Sequence, residues 1–139
     1  MPGKVVDASA VAAFLFVEPE ADEVARQLEG FELTAPSLLP YEIASVARKK
    51  VARHPELSEQ ILAASERLDD LGVILVDISA IDALRIAVDT GLSTYDASYL
   101  SLSRRTGSPL VTLDKKLQRV ARSGPRGDPS FNSTSSRGA

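Results

Sequence analysis

The chain has 139 residues, 44% of them hydrophobic and 25% charged, with a net charge of −3. This is enough apolar material for the core of one globular domain and too little chain for two. With no Cys, disulfide frameworks and thiol catalysis are excluded, and the acidic balance excludes a global basic field that would attract nucleic acid. Any such binding must use local patches or metal ions. The N-terminal "MPGKVVDASA" lacks a signal-peptide core, and no stretch approaches the ~20 apolar residues of a membrane span, which points to a cytoplasmic protein.

In chain order, "KVVD" (4–7) reads as a buried strand followed by a helix in "SAVAAFLFV". "PEADEVARQLEG" opens with Pro and acids and closes with Gly, as a helix does. "ELTAP" (32–36) is a second strand, and "LLPYEIASVARKKVAR" a helix with Ile43, Val46, Ala47 and Val51 on its apolar face. "LSEQILAASERLDDLG" predicts one further amphipathic helix through Leu57, Ile61, Leu62, Leu68 and Leu71. "VILVDI" (73–78) is a third buried strand, "SAIDALRIAVDTG" and "TYDASYLSLSRRTG" are helices stopped by Gly, "PLVTL" (109–113) is a fourth strand, and "DKKLQRVARSG" a last helix. Such alternation predicts an α/β fold with a parallel sheet covered on both faces. The domain is expected over residues 1–122. Residues 123–139, rich in Gly, Pro, Ser and Arg with Phe131 their only large apolar side chain, are expected to form a flexible tail.

Ligands of parallel α/β sheets bind beyond the carboxyl ends of the strands, and four acids fall there. Asp7 ends the first strand, and Asp114 follows the fourth. Glu42 lies early in the helix after the second strand, and Asp96 lies at the start of the helix leading to the fourth. Singly, Asp7 and Asp114 are adequate helix N-caps, and Glu42 could occupy a solvated helix face. Asp96 is harder to explain, because Ala97, Tyr99, Leu100 and Leu102 surround it with apolar surface and an unpaired buried charge is costly. His54, the one histidine, precedes Pro55 in a polar loop and reads as a surface residue.

The strings "VVDASA", "PYEIASV", "TYDASYLSLS" and "LVTLDKKL", in this order and at these spacings, resemble the PIN-domain ribonucleases, specifically the VapC-type toxins of toxin–antitoxin pairs. The resemblance spans about residues 4 to 120. It implies a PIN-like three-layer α/β/α sandwich with a central parallel sheet, Mg²⁺- or Mn²⁺-dependent endoribonuclease activity, and neutralisation by a small antitoxin. On it, Asp7, Glu42, Asp96 and Asp114 match the family's catalytic acids, with Asp7, Asp96 and Asp114 as metal ligands and Ser9 and Thr112 as supporting hydroxyls. Oxygen ligands without His or Cys suit Mg²⁺ or Mn²⁺ rather than Zn²⁺. "KKLQ" after Asp114 holds no further acid, so one firmly bound metal is expected.

The resemblance also implies a homodimer, for which Tyr99, Leu100 and Leu102 are the expected contact. An antitoxin groove is expected along Phe14, Leu15, Phe16, Leu38, Leu39, Ile43 and Val46. Basic residues form two groups, Arg48, Lys49, Lys50 and Arg53, and Arg104, Arg105, Lys115, Lys116, Arg119 and Arg122. Solvated helix faces explain them as well as RNA contacts do. Two alternatives carry other functions. A receiver-like phospho-acceptor module would need paired acids after the first strand, where Asp7 stands alone. A catalytically inactive PIN domain would not keep all four acids.

Overall fold

The structure is a computed structural model, and it describes residues 2–124. The expected tail from residue 125 onward lies outside the described residues, and Ser123, assigned to that tail on composition, is the last residue of a helix. Four parallel strands, β1 (Gly3–Val6), β2 (Glu32–Pro36), β3 (Ile74–Val76) and β4 (Leu110–Val111), form one sheet in the order β3-β2-β1-β4. Register is fixed by Val5 opposite Thr34 on one side of β1 and Leu110 on the other, and by Thr34 opposite Ile74.

Among the described residues seven α-helices lie between and after the strands: α1 (Ala8–Leu15), α2 (Ala21–Leu28), α3 (Leu39–Arg53), α4 (Ser58–Glu66), α5 (Ala80–Thr90), α6 (Thr94–Thr106) and α7 (Lys115–Ser123). The chain steps from β1 to β2 to β3 in one direction, so right-handed crossovers place α1 to α4 on one face. It then returns across the sheet to β4, which places α5 and α6 on the opposite face and gives the expected α/β/α sandwich. No described helix is long and apolar enough to cross a membrane.

The core is built from the strand residues Val5, Val6, Ala35 and Val111 with Val11, Leu39, Ile43, Tyr99 and Leu102 from the covering helices. A smaller cluster of Ala83, Leu92, Ala97, Leu100 and Leu117 joins α5, α6 and α7. Gly91 and Gly107 stop α5 and α6 in the left-handed conformation that an L side chain resists.

Five expectations are corrected. "VILVDI" is a three-residue edge strand with Ile74 and Leu75 exposed; its apolar run reads as central, but one side of it has no partner strand. "PLVTL" contributes only Leu110 and Val111 to the ladder, because the next residues turn their polar groups to the site described below. The helix expected over 57–72 ends at Glu66 and tightens into a 3₁₀ turn, Arg67–Leu71. Tyr99, Leu100 and Leu102 cannot be a dimer contact, since they are 1%, 1% and 2% exposed within the chain's own core. Likewise Leu15, Leu39 and Ile43 are core residues, which leaves only the partly buried Phe14, Phe16, Leu38 and Val46 of the expected groove to face outward.

Candidate active site

The connections from β1 and β4 leave toward opposite faces, which opens a crevice beyond the carboxyl ends of these adjacent strands. Asp7 lies at that crevice. Its backbone N–H donates to the Val111 carbonyl at 3.2 Å, so β1 and β4 are still paired where the carboxylate emerges. Asp7 is buried, and every protein donor around it is accounted for: Ser9 Oγ donates to Oδ1 at 2.7 Å, the Ala10 N–H to Oδ1 at 3.0 Å, and Thr112 Oγ1 to Oδ2. The same two hydroxyls organise the other strand, Ser9 Oγ accepting the Leu113 N–H at 2.9 Å and Thr112 Oγ1 the Asp114 N–H at 3.0 Å. Ser9 and Thr112 therefore tie the end of β1 to the turn after β4.

Asp114 is exposed, and its Oδ1 accepts the Leu117 N–H at 2.8 Å to cap α7. Asp7 caps α1 in the same way. Capping does not exhaust either carboxylate, because each oxygen carries a second acceptor position. Asp96 is half-buried in the first turn of α6, whose N-terminus is capped by Ser93 Oγ accepting the Asp96 N–H at 3.0 Å. Glu42, in the first turn of α3, is half-buried, and Tyr99 Oη donates to its Oε1 at 2.6 Å. This bond crosses from the α6 face to the α3 face, and its donor is interior.

Sequence reasoning placed Tyr99 at a dimer contact and missed this role. The available signal was its position three residues after Asp96, which sets the two side chains on one helix face. His54, as expected, is exposed, 3.6 Å from Glu56.

Electrostatics show which acids are brought together. Burial raises the Asp7 carboxyl above the usual carboxylate range, its three hydrogen bonds oppose that rise, and repulsion from Asp96 adds to it. Burial also raises Glu42; Tyr99 opposes, and Asp96 and Asp7 add. Asp96 is raised by burial and then by Asp114, with Ser93 and Lys116 opposing. Asp96 is thus the common neighbour, repelled by Asp7, Glu42 and Asp114 alike. Burial and Glu42 push the Tyr99 phenol far up, so it remains a donor.

Among the described residues no group of three or more Asp, Glu, His or Cys side chains is arranged to hold a metal ion. The donor set nevertheless fits Mg²⁺ or Mn²⁺. It is all oxygen, it carries uncompensated repulsion that a cation relieves, and Mg²⁺ keeps several waters while binding through one or two carboxylates.

The fold is an α/β/α sandwich whose strand order turns at the β1/β4 crevice, and the sequence comparison is specific: the PIN domain family matches residues 4–123. The chain belongs to the PIN-domain family. It is 33% identical over 118 residues to Ribonuclease VapC3 of Pyrobaculum aerophilum, covering 81% of this chain and 90% of that protein. Among solved structures it is similar to that of PAE2754 from Pyrobaculum aerophilum, with a TM-score of 0.69 and 27% identity, covering 84% of this chain and 82% of that one.

Proposed function

We propose that the protein is a metal-dependent endoribonuclease acting as the toxin of a toxin–antitoxin pair. The carrying observation is the set of mutually repelling carboxylates, with Asp96 at its centre, held at the switch point of a PIN-domain sheet. When bound there, Mg²⁺ or Mn²⁺ supplies Lewis acidity and an activated water. Asp7, Asp96 and Asp114 are the residues that would hold the ion. Ser9 and Thr112 hold the Asp7 carboxylate in place, Ser9 through Oδ1 and Thr112 through Oδ2. Glu42 has Oε1 committed to Tyr99 and accepts a proton from the attacking water at Oε2.

The likeness to Ribonuclease VapC3 supports the RNA substrate and a small antitoxin partner. For the antitoxin, one candidate surface is a ≈ 330 Å³ hollow lined by Phe16, Val17, Leu57 and Ile61 together with Lys50, Gln60 and Arg67. For the homodimer, the exposed stripe of Ile81, Leu84 and Val88 on α5 replaces the surface expected around Tyr99. Purified protein is expected to cut RNA with Mg²⁺ or Mn²⁺ and to be silent in EDTA. Cleavage undiminished by chelator overturns the mechanism.

A further inference from the structure

The chain is poor in aromatic residues, at 5%, and most of the described rings are committed to the interior. Phe14, Phe16 and Phe31 pack against the main core and Tyr99 is inside it. Tyr41 and Tyr95 are the exceptions, 82% and 64% exposed. Both line one groove of ≈ 450 Å³, together with Glu42, Ser45, Val46 and Lys49.

Their position follows from the helices that carry them. Tyr41 immediately precedes Glu42 on α3, and Tyr95 immediately precedes Asp96 on α6. Tyr41 and Glu42 line the same groove, and Tyr95 reaches it from the first turn of α6. Glu42, Ser45, Val46 and Lys49 are spaced i, i+3, i+4 and i+7, which makes them one continuous face of α3 about 10 Å long. The groove therefore has a carboxylate at one end, an ammonium at the other, and two exposed π-faces on its walls.

We infer that Tyr41 and Tyr95 form a base-stacking subsite that takes an unpaired nucleotide of the RNA beside the carboxylate rim, with a neighbouring phosphate on Lys49. The inference rests on the nuclease reading for its substrate. An unpaired base has two free faces, whereas a base within a duplex is covered above and below by its neighbours. Exposed aromatic side chains beside a cation are the means by which single strands are held without sequence readout. The tyrosines thus select the structural state of the RNA, and the acids act on the phosphate that the stacked base positions.

The test is binding in EDTA at low salt. A labelled single-stranded oligoribonucleotide, the same strand annealed to its complement, and the same strand with abasic positions are compared by fluorescence anisotropy. Because the protein has no Trp and only three Tyr, quenching of its tyrosine emission gives a second readout. Tyr41→Ala and Tyr95→Ala are each expected to weaken single-strand binding by about 5- to 150-fold, with Tyr→Phe at either position restoring it to within about twofold. Lys49→Ala is expected to lower the salt slope by about 0.7. Thermal midpoints of all variants should match the wild type, since both rings are exposed.

Equal binding of the Ala variants, or duplex and abasic strands bound as tightly as the intact single strand, overturns the subsite. Ala variants that keep RNA binding but no longer retain a co-expressed protein partner assign the rings to that partner and overturn it equally. Cleavage is measured in parallel with Mg²⁺. Tyrosine-dependent binding without cleavage defeats the nuclease reading and leaves the subsite, whereas cleavage with tyrosine-independent binding does the reverse. Neither binding nor cleavage by the wild type defeats both.

Discussion

Tyr99→Phe is the most informative single change, because it removes one hydroxyl from an interior side chain and leaves the packing volume almost unchanged. What is lost is the 2.6 Å bond to Glu42 Oε1. Hydrogen bonds to charged groups contribute about 1.5–3 kcal/mol. Glu42 is only half-buried and water can replace part of the bond, so the lower figure applies, and for a domain of this size about 1.5 kcal/mol corresponds to a fall of roughly 5–8 °C in Tm.

The pH dependence has a definite sign. Tyr99 opposes the rise that burial imposes on Glu42, so Phe lets that carboxyl move further up. A folded-state carboxyl held above its unfolded value contributes stability that is present at acid pH and lost as pH rises through the folded titration. The gap between wild type and variant in EDTA should therefore be largest at neutral pH and shrink on acidification, when the bond becomes a weaker neutral one. Cleavage should drop about 10- to 100-fold, with its acid limb displaced to higher pH. Thermal unfolding from pH 4 to 8 and single-turnover cleavage over the same range measure both effects. An unchanged midpoint together with an unshifted acid limb would refute the Tyr99–Glu42 coupling.

Asp96→Asn is expected to remove detectable cleavage and, in EDTA at neutral pH, to raise the thermal midpoint. Burial and Asp114 hold the Asp96 carboxyl above its ordinary value, so its charge opposes folding above that titration, and the advantage of Asn should vanish in acid. Equal midpoints at pH 7, or wild-type cleavage, would reduce Asp96 to an ordinary first-turn acid. Val17→Gly should stabilise the protein by about 0.5–1 kcal/mol, because Val17 is held at φ 52° after α1 with its side chain 76% exposed. Glycine relieves the left-handed strain at some cost in unfolded-chain entropy; a lowered denaturation midpoint would mean that the Val17 side chain contributes packing. Light scattering of wild type and Val88→Glu tests the α5 stripe: dimer and monomer masses are expected, and two equal masses would remove α5 from the interface.

Much of the local structure was legible in the sequence because it depends on neighbours a few residues apart. Asp7 and Asp114 cap helices, Gly91 and Gly107 end them, and the apolar spacing of Ile43, Val46 and Ala47 sets the inner face of α3. The candidate acids were legible for a similar reason, since Asp7 and Asp114 follow strand patterns that a parallel sheet must end on one rim. What spacing could not supply was the partner of each group across the fold. Whether "VILVDI" is central or at an edge depends on strand order, which the return crossover to β4 decides. Tyr99 and Leu102 look the same in sequence whether they face a second subunit or the sheet beneath them, and only the packing of α6 over β1 and β2 makes them interior. The Tyr99–Glu42 bond joins residues 57 positions apart. The sequence by itself thus determined the order and type of most elements, the Asp7 and Asp114 caps and which acids are candidates, all governed by short-range sterics and periodicity. Only the tertiary structure decided which acids repel one another, that Tyr99 holds Glu42 and which rings remain exposed, because desolvation and Coulomb repulsion act between groups that the chain brings together only by folding.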